Sequence, residues 1–265
     1  MSYQKTFSKL RKKKEKALVP FVVIGDPDYE TSLQIVKKIV ESGADILELG
    51  LPFSDPIADG PTIQAADVRA LSKGITTDKC FGFIKRVREF TDIPMGLLVY
   101  YNLIYQRGIS KFFSDCKKCG VTSVLAADVP FEESSDMVKV ARKNNVDTVF
   151  IVSPLTDNKR FKLILQKCRG FIYIVARLGV TGTRTDMKQT TLKLIRGVRK
   201  KTKLPICVGF GISKPEHVKA VCQAGADGAI VGSAIVKLIE NNIKNKKLML
   251  KKIEDYVRGL KNATK

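Results

Sequence analysis

Residues 45–64, DILELGLPFSDPIADGPTIQ, contain the side chains best suited to proton transfer. Glu48 lies inside an otherwise apolar segment with the pattern of a β-strand, and strand alternation places Ile46, Glu48 and Gly50 on one face. A carboxyl group buried on an inward face has a raised pKa and can transfer protons near neutral pH. The alternative is a structural glutamate whose hydrogen bonds are satisfied.

The loop that follows, residues 52–61, is stiffened by proline and carries two more acids. Long ordered loops often serve as lids or binding surfaces. Asp59 is therefore a second candidate for catalysis, and Asp55 is a candidate for contact with a partner. Simple turn formation is the alternative, because Asp-Pro and Asp-Gly pairs both favour turns.

Three glycine-containing segments in the second half of the chain could bind a phosphate group. They are residues 179–182, 209–213 and 232–233, and the last of them opens a helical pattern. Glycine lets backbone N–H groups approach a phosphate closely, and a helix N-terminus adds the positive end of its dipole. Each segment alone could be an ordinary turn, but together they predict a phosphate site.

Short apolar runs that alternate with amphipathic segments must position these residues. Eight runs are typical of strands, at 18–24, 45–50, 94–100, 122–128, 147–153, 170–176, 204–209 and 227–231. Apolar spacings of three and four residues predict helices at 32–41, 78–90, 110–119, 133–144, 159–168, 189–201 and 214–224.

This alternation favours an α/β fold of the (β/α)8 TIM barrel class over a doubly wound open sheet. The phosphate site then follows strands 7 and 8, and the active site lies at the carboxyl ends of the strands. The length of 265 residues and the lack of a Pro/Gly/Ser-rich linker predict a single TIM-barrel domain over residues 1–265.

Composition argues against several other classes of protein. The net charge of +21 could indicate nucleic-acid binding, but the lysines are spread along the chain without interleaved aromatic residues, which argues against that function. Cys116 and Cys119 form a lone C-x-x-C, which favours buried thiols over a redox pair, and a single histidine argues against a metal site. Neither a membrane span nor a signal peptide is evident, so we expect a cytoplasmic protein.

The segment LELGLPFSDPIADGPTIQ resembles the signature of the tryptophan synthase alpha subunit family. The similarity covers almost the whole chain, through PFVVIGDPDYETSL (20–33), GLLVYYNLIYQRGI (96–109), AADVPFEES (126–134), GVTGTR (179–184), GFGIS (209–213) and GSAIVKLIE (232–240). The resemblance implies a lyase that cleaves indole-3-glycerol phosphate to indole and glyceraldehyde-3-phosphate by a retro-aldol reaction, within tryptophan biosynthesis.

The resemblance also implies roles for individual residues. Glu48 matches the family's general acid–base, Asp59 matches the aspartate that stabilises positive charge at the indole nitrogen, and Tyr173 matches a supporting tyrosine nearby. The implied phosphate contacts are Gly182, Phe210, Gly211, Ile212, Gly232 and Ser233. The implied residues of the indole pocket and lid are Phe21, Leu98, Tyr100, Leu125, Ala127 and Thr181, with ordinary barrel core as the alternative for the pocket walls.

A partner is implied as well, namely a pyridoxal-phosphate-dependent beta subunit in an α2β2 heterotetramer, whereas no cofactor is expected in this chain itself. The expected contacts are Pro52 and Asp55 in the 52–59 loop, together with Asn102 and Pro130. Two alternatives stay open. One is a phosphate-binding barrel with a different substrate, and the other is a non-catalytic barrel that only binds and activates the beta subunit.

Overall fold

The computed structural model describes residues 2–175, 184–209 and 211–265, and its strands form one parallel sheet. The strands are β1 (Ala17–Val23), β2 (Leu47–Gly50), β3 (Met95–Val99), β4 (Ser123–Ala126), β5 (Asp147–Thr148), β6 (Phe150–Val152), β7 (Ile172–Val175), β8 (Ile206–Gly209) and β9 (Gly228–Val231). Their order in the sheet is β5-β4-β3-β2-β1-β9-β8-β7-β6.

The strand predicted at 147–153 is divided between the two ends of this order. Residues 147–148 in β5 pair with β4, whereas residues 150–152 in β6 pair with β7. Between them, the Val149 backbone N–H donates to the Val124 carbonyl at 3.1 Å. One chain segment therefore contacts both neighbours and curls the sheet into a barrel with eight strand positions, which confirms the predicted fold class. The seventh and eighth predicted strands are β8 and β9.

Helices surround this sheet. They are α1 (Tyr3–Lys12), α2 (Tyr29–Glu41), α3 (Pro61–Ser72), α4 (Thr77–Arg88), α5 (Tyr101–Arg107), α6 (Ile109–Lys118), α7 (Ser135–Lys143), α8 (Asn158–Lys167), α9 (Arg184–Arg199), α10 (Pro215–Gln223), α11 (Ser233–Asn241) and α12 (Lys246–Asn262), with a 3-10 helix at Phe131–Ser134. The seven predicted helices correspond to α2, α4 and α6 to α10, with ends that differ by a few residues, whereas α1, α3, α5 and α12 were not predicted. Within the described ranges, every helix is too short or too polar to cross a membrane.

The strands separate two apolar layers. Leu47 and Leu49 of β2 pack in the outer layer between sheet and helices, whereas Ile46 packs in the inner cluster. Glu48 therefore faces inward, as the alternation along this strand predicts. The inner cluster, called the barrel core below, comprises Tyr3, Phe7, Leu10, Ala17, Val19, Ile46, Leu125, Val149, Phe171, Tyr173, Cys207 and Ile230.

Helix α1 packs against the amino-terminal end of the barrel core. Tyr3, Phe7 and Leu10 recur at helical spacing and are all buried. The Tyr3 hydroxyl lies 2.7 Å from Ser123 Oγ, and its ring packs edge-on against Phe171 with centroids 5.2 Å apart. The amino-terminal segment is therefore an integral part of the barrel core.

Replacement of Phe7 by alanine is expected to lower the free energy of unfolding by about 3–5 kcal/mol, because it leaves a cavity in this closely packed layer. Urea denaturation followed by circular dichroism measures the change. The matched control is Lys9→Ala on the exposed side of the same helix, which should change stability little. Equal stability of Phe7→Ala and the unaltered chain would contradict the assigned role of α1.

The cysteines of the C-x-x-C segment are free and buried. Burial raises the pKa of the Cys119 thiol and raises the pKa of the Cys116 thiol well above 9.0. Both thiols are therefore protonated near neutral pH, which favours a packing role over thiol–disulfide chemistry.

Candidate active site

A cavity of ≈ 190 Å³ lies among residues at the carboxyl ends of the barrel strands and the loops that follow them. Its walls combine two carboxyl groups with apolar side chains and glycine-rich backbone. The lining residues are Phe21, Glu48, Asp59, Gly60, Ile63, Leu98, Tyr173, Gly211, Ile212, Ser213, Ile230, Gly232, Ser233 and Ala234.

Glu48 presents a buried carboxyl group to this cavity. Its partners in the sheet are Phe21 of β1 and Gly96 of β3, and the residue is 5% exposed. Among the residues that the structure describes, no side chain or backbone group hydrogen-bonds to Oε2. Burial raises the pKa of Glu48 to about 8, and the nearby charge of Asp59 adds to this rise. The carboxyl is therefore mainly protonated at neutral pH and has one oxygen available to a ligand.

Asp59 lies in the loop between β2 and α3, and its carboxyl group has a different environment. The Tyr100 hydroxyl donates a hydrogen bond to Asp59 Oδ2 at 2.7 Å. Burial raises the pKa of Asp59, whereas this hydrogen bond opposes the rise because it stabilises the charged form. Asp59 thus has a hydrogen-bond donor that favours its charged form, whereas Glu48 Oε2 has none among the described residues, and such a difference suits a charge-compensating group beside an acid–base group.

Tyr173 of β7 lies beside Glu48 in the barrel interior. It is buried, and burial raises its pKa well above 10.0, so the phenol is neutral. A Cβ at Gly209 would clash with the Tyr173 hydroxyl, which explains why a glycine ends β8 at this point. The tyrosine fills the base of the cavity next to the acid–base candidate, in agreement with a supporting role.

Backbone groups surround the opposite side of the cavity. Gly211 adopts the left-handed conformation with φ +76°, which favours glycine. Gly232 precedes α11, and no side chain caps the first turn of that helix. The N–H groups at the start of a helix are available to an anion, and the helix dipole favours negative charge there. Gly211, Ile212, Gly232 and Ser233 can therefore form part of a phosphate site.

Replacement of Gly232 by alanine is expected to raise KM about tenfold with a smaller effect on kcat, because overpacking of about 1–2 kcal/mol would displace the wall of the cavity. A Cβ at Gly232 would lie 3.0 Å from Phe21 Cδ1. Steady-state kinetics measure both constants. Gly259→Ala in α12 is the matched control, because a Cβ there meets nothing within 4 Å. An unchanged KM in Gly232→Ala would count against a substrate contact at this position.

The other residues predicted to form the pocket lie in different places. Phe21 and Leu98 line the cavity, whereas Leu125 belongs to the barrel core and is not part of the cavity lining. Ala127 lines a different cavity, of ≈ 420 Å³, beside β4 and β6. Tyr100 contributes its hydroxyl to Asp59 instead of forming an apolar wall. Thr181, Gly182 and Phe210 lie outside the described residues.

Ser213, within the predicted 209–213 segment, also lines the cavity, and so do four residues that were not predicted as part of a site, namely Gly60, Ile63, Ile230 and Ala234. Ile63 lies within the 45–64 segment and Ile230 lies on the inward face of β9, so a helix over 61–72 and the alternation of β9 could have identified them. Of the side chains that the structure describes, no three His, Cys, Asp or Glu are grouped in a way that could hold a metal ion.

The predicted partner contacts differ in exposure. Asp55, Asn102 and Pro130 are exposed, all in segments that follow barrel strands, but Pro52 is buried within the chain. Pro52 can therefore support a contact surface but offers little surface of its own. Ile57 is 84% exposed in the same loop as Asp55, and Leu155, after β6, is 94% exposed.

The fold and the cavity define a parallel (β/α)8 barrel with two carboxyl groups at the carboxyl ends of its strands. The family model described as tryptophan synthase alpha chain matches residues 7–265. The chain belongs to this family, whose members are lyases of tryptophan biosynthesis.

Individual relatives support this assignment. The tryptophan synthase alpha chain of Methanothermobacter thermautotrophicus is 52% identical over 263 residues, which covers 99% of this chain and 96% of the relative. The tryptophan synthase subunit alpha of Legionella pneumophila has a TM-score of 0.90 at 32% identity and covers 100% of this chain and 98% of its own. A chain of the tryptophan synthase a2b2 complex from Pyrococcus furiosus has a TM-score of 0.86 at 36% identity, over 93% of this chain and 98% of its own.

Proposed function

We propose that this chain cleaves indole-3-glycerol phosphate to indole and glyceraldehyde-3-phosphate by a retro-aldol reaction. The observation that carries the proposal is the pair of carboxyl groups in one cavity. Glu48 is buried with an oxygen that has no partner among the described residues, whereas Asp59 accepts a hydrogen bond from Tyr100. Membership of the tryptophan synthase alpha chain family supports the same reaction.

The chemistry needs one group that moves protons and one that compensates charge. Protonated Glu48 donates its proton to C3 of the indole ring, and the negative charge of Asp59 stabilises the resulting cation at the ring nitrogen. The Glu48 carboxylate then accepts the proton of the adjacent side-chain hydroxyl. The C–C bond breaks, its electrons restore the aromatic ring, and the hydroxyl carbon becomes the aldehyde. Glu48 ends the cycle protonated, so no redox or metal cofactor is required of this chain.

Apolar surface for the indole ring comes from Phe21, Leu98, Ile63 and Ile230. Tyr173 of β7 supports Glu48. The phosphate group is proposed to bind Gly211, Ile212, Gly232 and Ser233, with Gly182 and Phe210 as further expected contacts. Thr181 is expected in a lid over the substrate.

We also propose that residues 1–265 form one domain and that the enzyme is cytoplasmic. Six free cysteines support this location.

A beta subunit that holds pyridoxal phosphate is the proposed partner, in an α2β2 assembly that consumes the indole. The Pyrococcus furiosus relative in its a2b2 complex supports this proposal. The exposed residues Asp55, Asn102 and Pro130 are the proposed contacts, together with Ile57 of the same loop as Asp55. All lie in segments that follow barrel strands, with Asn102 in the first turn of α5, and this position would link partner binding to the site.

The test is a direct product assay. Purified chain is mixed with indole-3-glycerol phosphate, with and without a cognate beta subunit, and indole and glyceraldehyde-3-phosphate are both quantified. Equal amounts of the two products, above a Glu48→Gln blank, are the expected result. Partner activation without product release would indicate a binding-only barrel. The absence of both product release and partner activation would overturn the proposed function.

A further inference from the structure

A tyrosine that directly follows β3 contacts the loop that carries Asp59. Tyr100 is 2% exposed, and its ring stacks on Phe53 with centroids 5.0 Å apart and an interplanar angle of 20°. Its hydroxyl accepts a hydrogen bond from the Ala58 backbone N–H at 3.0 Å and donates one to Asp59 Oδ2 at 2.7 Å. One rigid side chain therefore fixes the loop at three points, including the carboxyl group itself.

We propose that Tyr100 is a positioning residue for Asp59, whose carboxylate it orients and keeps charged through the donated hydrogen bond. The proposal rests on the proposed function and goes beyond the expected wall role of Tyr100. The hydrogen bond engages one carboxylate oxygen and leaves Oδ1 for an N–H donor in the cavity. A charged acceptor makes this bond stronger than a neutral one, and the buried surroundings strengthen it further.

Other ionisable groups surround Asp59, and each comes from a different element. Glu48 belongs to β2, Tyr173 to β7 and Asp67 to α3, and all three interact electrostatically with Asp59. Burial raises the pKa of Asp67 to about 7, with the charge of Asp59 as the next cause. Burial raises the pKa of Asp59, and the hydrogen bond that Tyr100 donates to its carboxyl group opposes this rise.

The test is the pH dependence of kcat/KM for indole release by Tyr100→Phe, which keeps the ring and removes the hydroxyl. Loss of the hydrogen bond raises the pKa of Asp59, so the acidic limb of the profile moves to higher pH. At acidic pH, kcat/KM should fall at least tenfold, since a hydrogen bond to a charged group contributes about 1.5–3 kcal/mol. Part of this loss should disappear as the pH rises to the plateau.

Two control variants separate this role from a structural one. Gln64 Nε2 donates to the backbone carbonyls of Asp59 at 2.9 Å and Pro56 at 3.4 Å, so Gln64→Ala loosens the same loop without touching the carboxyl. Its acidic limb should stay in place even if kcat falls. Asp67→Asn removes another carboxyl group that interacts with Asp59 and does not line the cavity, and it should also leave the acidic limb unmoved.

The proposal would be overturned if the acidic limb of kcat/KM lay at the same pH in Tyr100→Phe and in the unaltered chain. It would also be overturned if this limb moved in Asp67→Asn and not in Tyr100→Phe. Thermal melts confirm that each variant is folded at the assay temperature. Failure of the unaltered chain to release indole at any pH is a distinct result, because it contradicts the proposed function and leaves no profile to compare.

Discussion

Replacing Glu48 with glutamine is expected to lower kcat for indole release by about 10²–10⁴-fold, the usual contribution of a general acid–base group. Glutamine keeps the shape of the side chain but cannot donate and then accept a proton. Because the pKa of Glu48 in the free chain is about 8, kcat/KM of the unaltered chain should also fall as the pH rises through this value. Single-turnover measurements of indole release give the rate of the chemical step.

The matched control is Asp67→Asn, a change at another buried carboxyl whose pKa is raised and which does not line the cavity. It should retain most of the activity near neutral pH. A Glu48→Gln variant within a few-fold of the unaltered chain, with normal substrate binding, would remove Glu48 from the reaction and favour water or another side chain as the proton donor.

The same substitution is expected to make the chain more stable in alkaline solution. Burial raises the pKa of Glu48 from 4.5 to about 8 in the folded state. The folded state therefore binds the proton more tightly than the unfolded state, so this contribution is complete below pH 4.5 and is lost as the pH rises through 8. Glu48→Gln lacks the ionisation, and its advantage in free energy of unfolding should grow by about 3–5 kcal/mol between pH 5 and pH 9.

Urea denaturation of both chains at the two pH values measures this difference. Glu133→Gln, at an exposed position, is the control, and its difference from the unaltered chain should stay small at both pH values. A constant difference between Glu48→Gln and the unaltered chain would show that Glu48 titrates normally. The two results on Glu48 together would mean that the site keeps a carboxyl group at a cost in stability, as active sites often do.

Much of the barrel is readable from residue patterns. Alternation along residues 46–50 gives the inward face of Glu48, and the seven predicted helices overlap observed ones. Helix α1 was missed although Tyr3, Phe7 and Leu10 have helical spacing, because the surrounding lysines resemble a solvated tail. The division of the fifth strand into β5 and β6 depends on how the sheet closes, which no local pattern records.

The site was harder to predict than the fold. Alternation shows which residues point into a barrel but not which of them line a cavity. Leu125 and Ile230 both belong to the barrel core, but of the two only Ile230 lines the cavity. The hydrogen bond from Tyr100 to Asp59 spans 41 residues of sequence, and only the three-dimensional arrangement reveals it.

The pairing of β1 with β9 has a consequence for how the chain folds. Residues 17–20 pair with residues 228–231, so β1 has an unpaired edge until nearly the whole chain has been synthesised. By contrast, β5 and β6 follow each other directly in the chain, so the chain itself joins these two ends of the sheet. A ribosome-bound fragment that ends before β9 therefore exposes an aggregation-prone strand edge, and release of the last forty residues or so from the ribosome is the step that removes it.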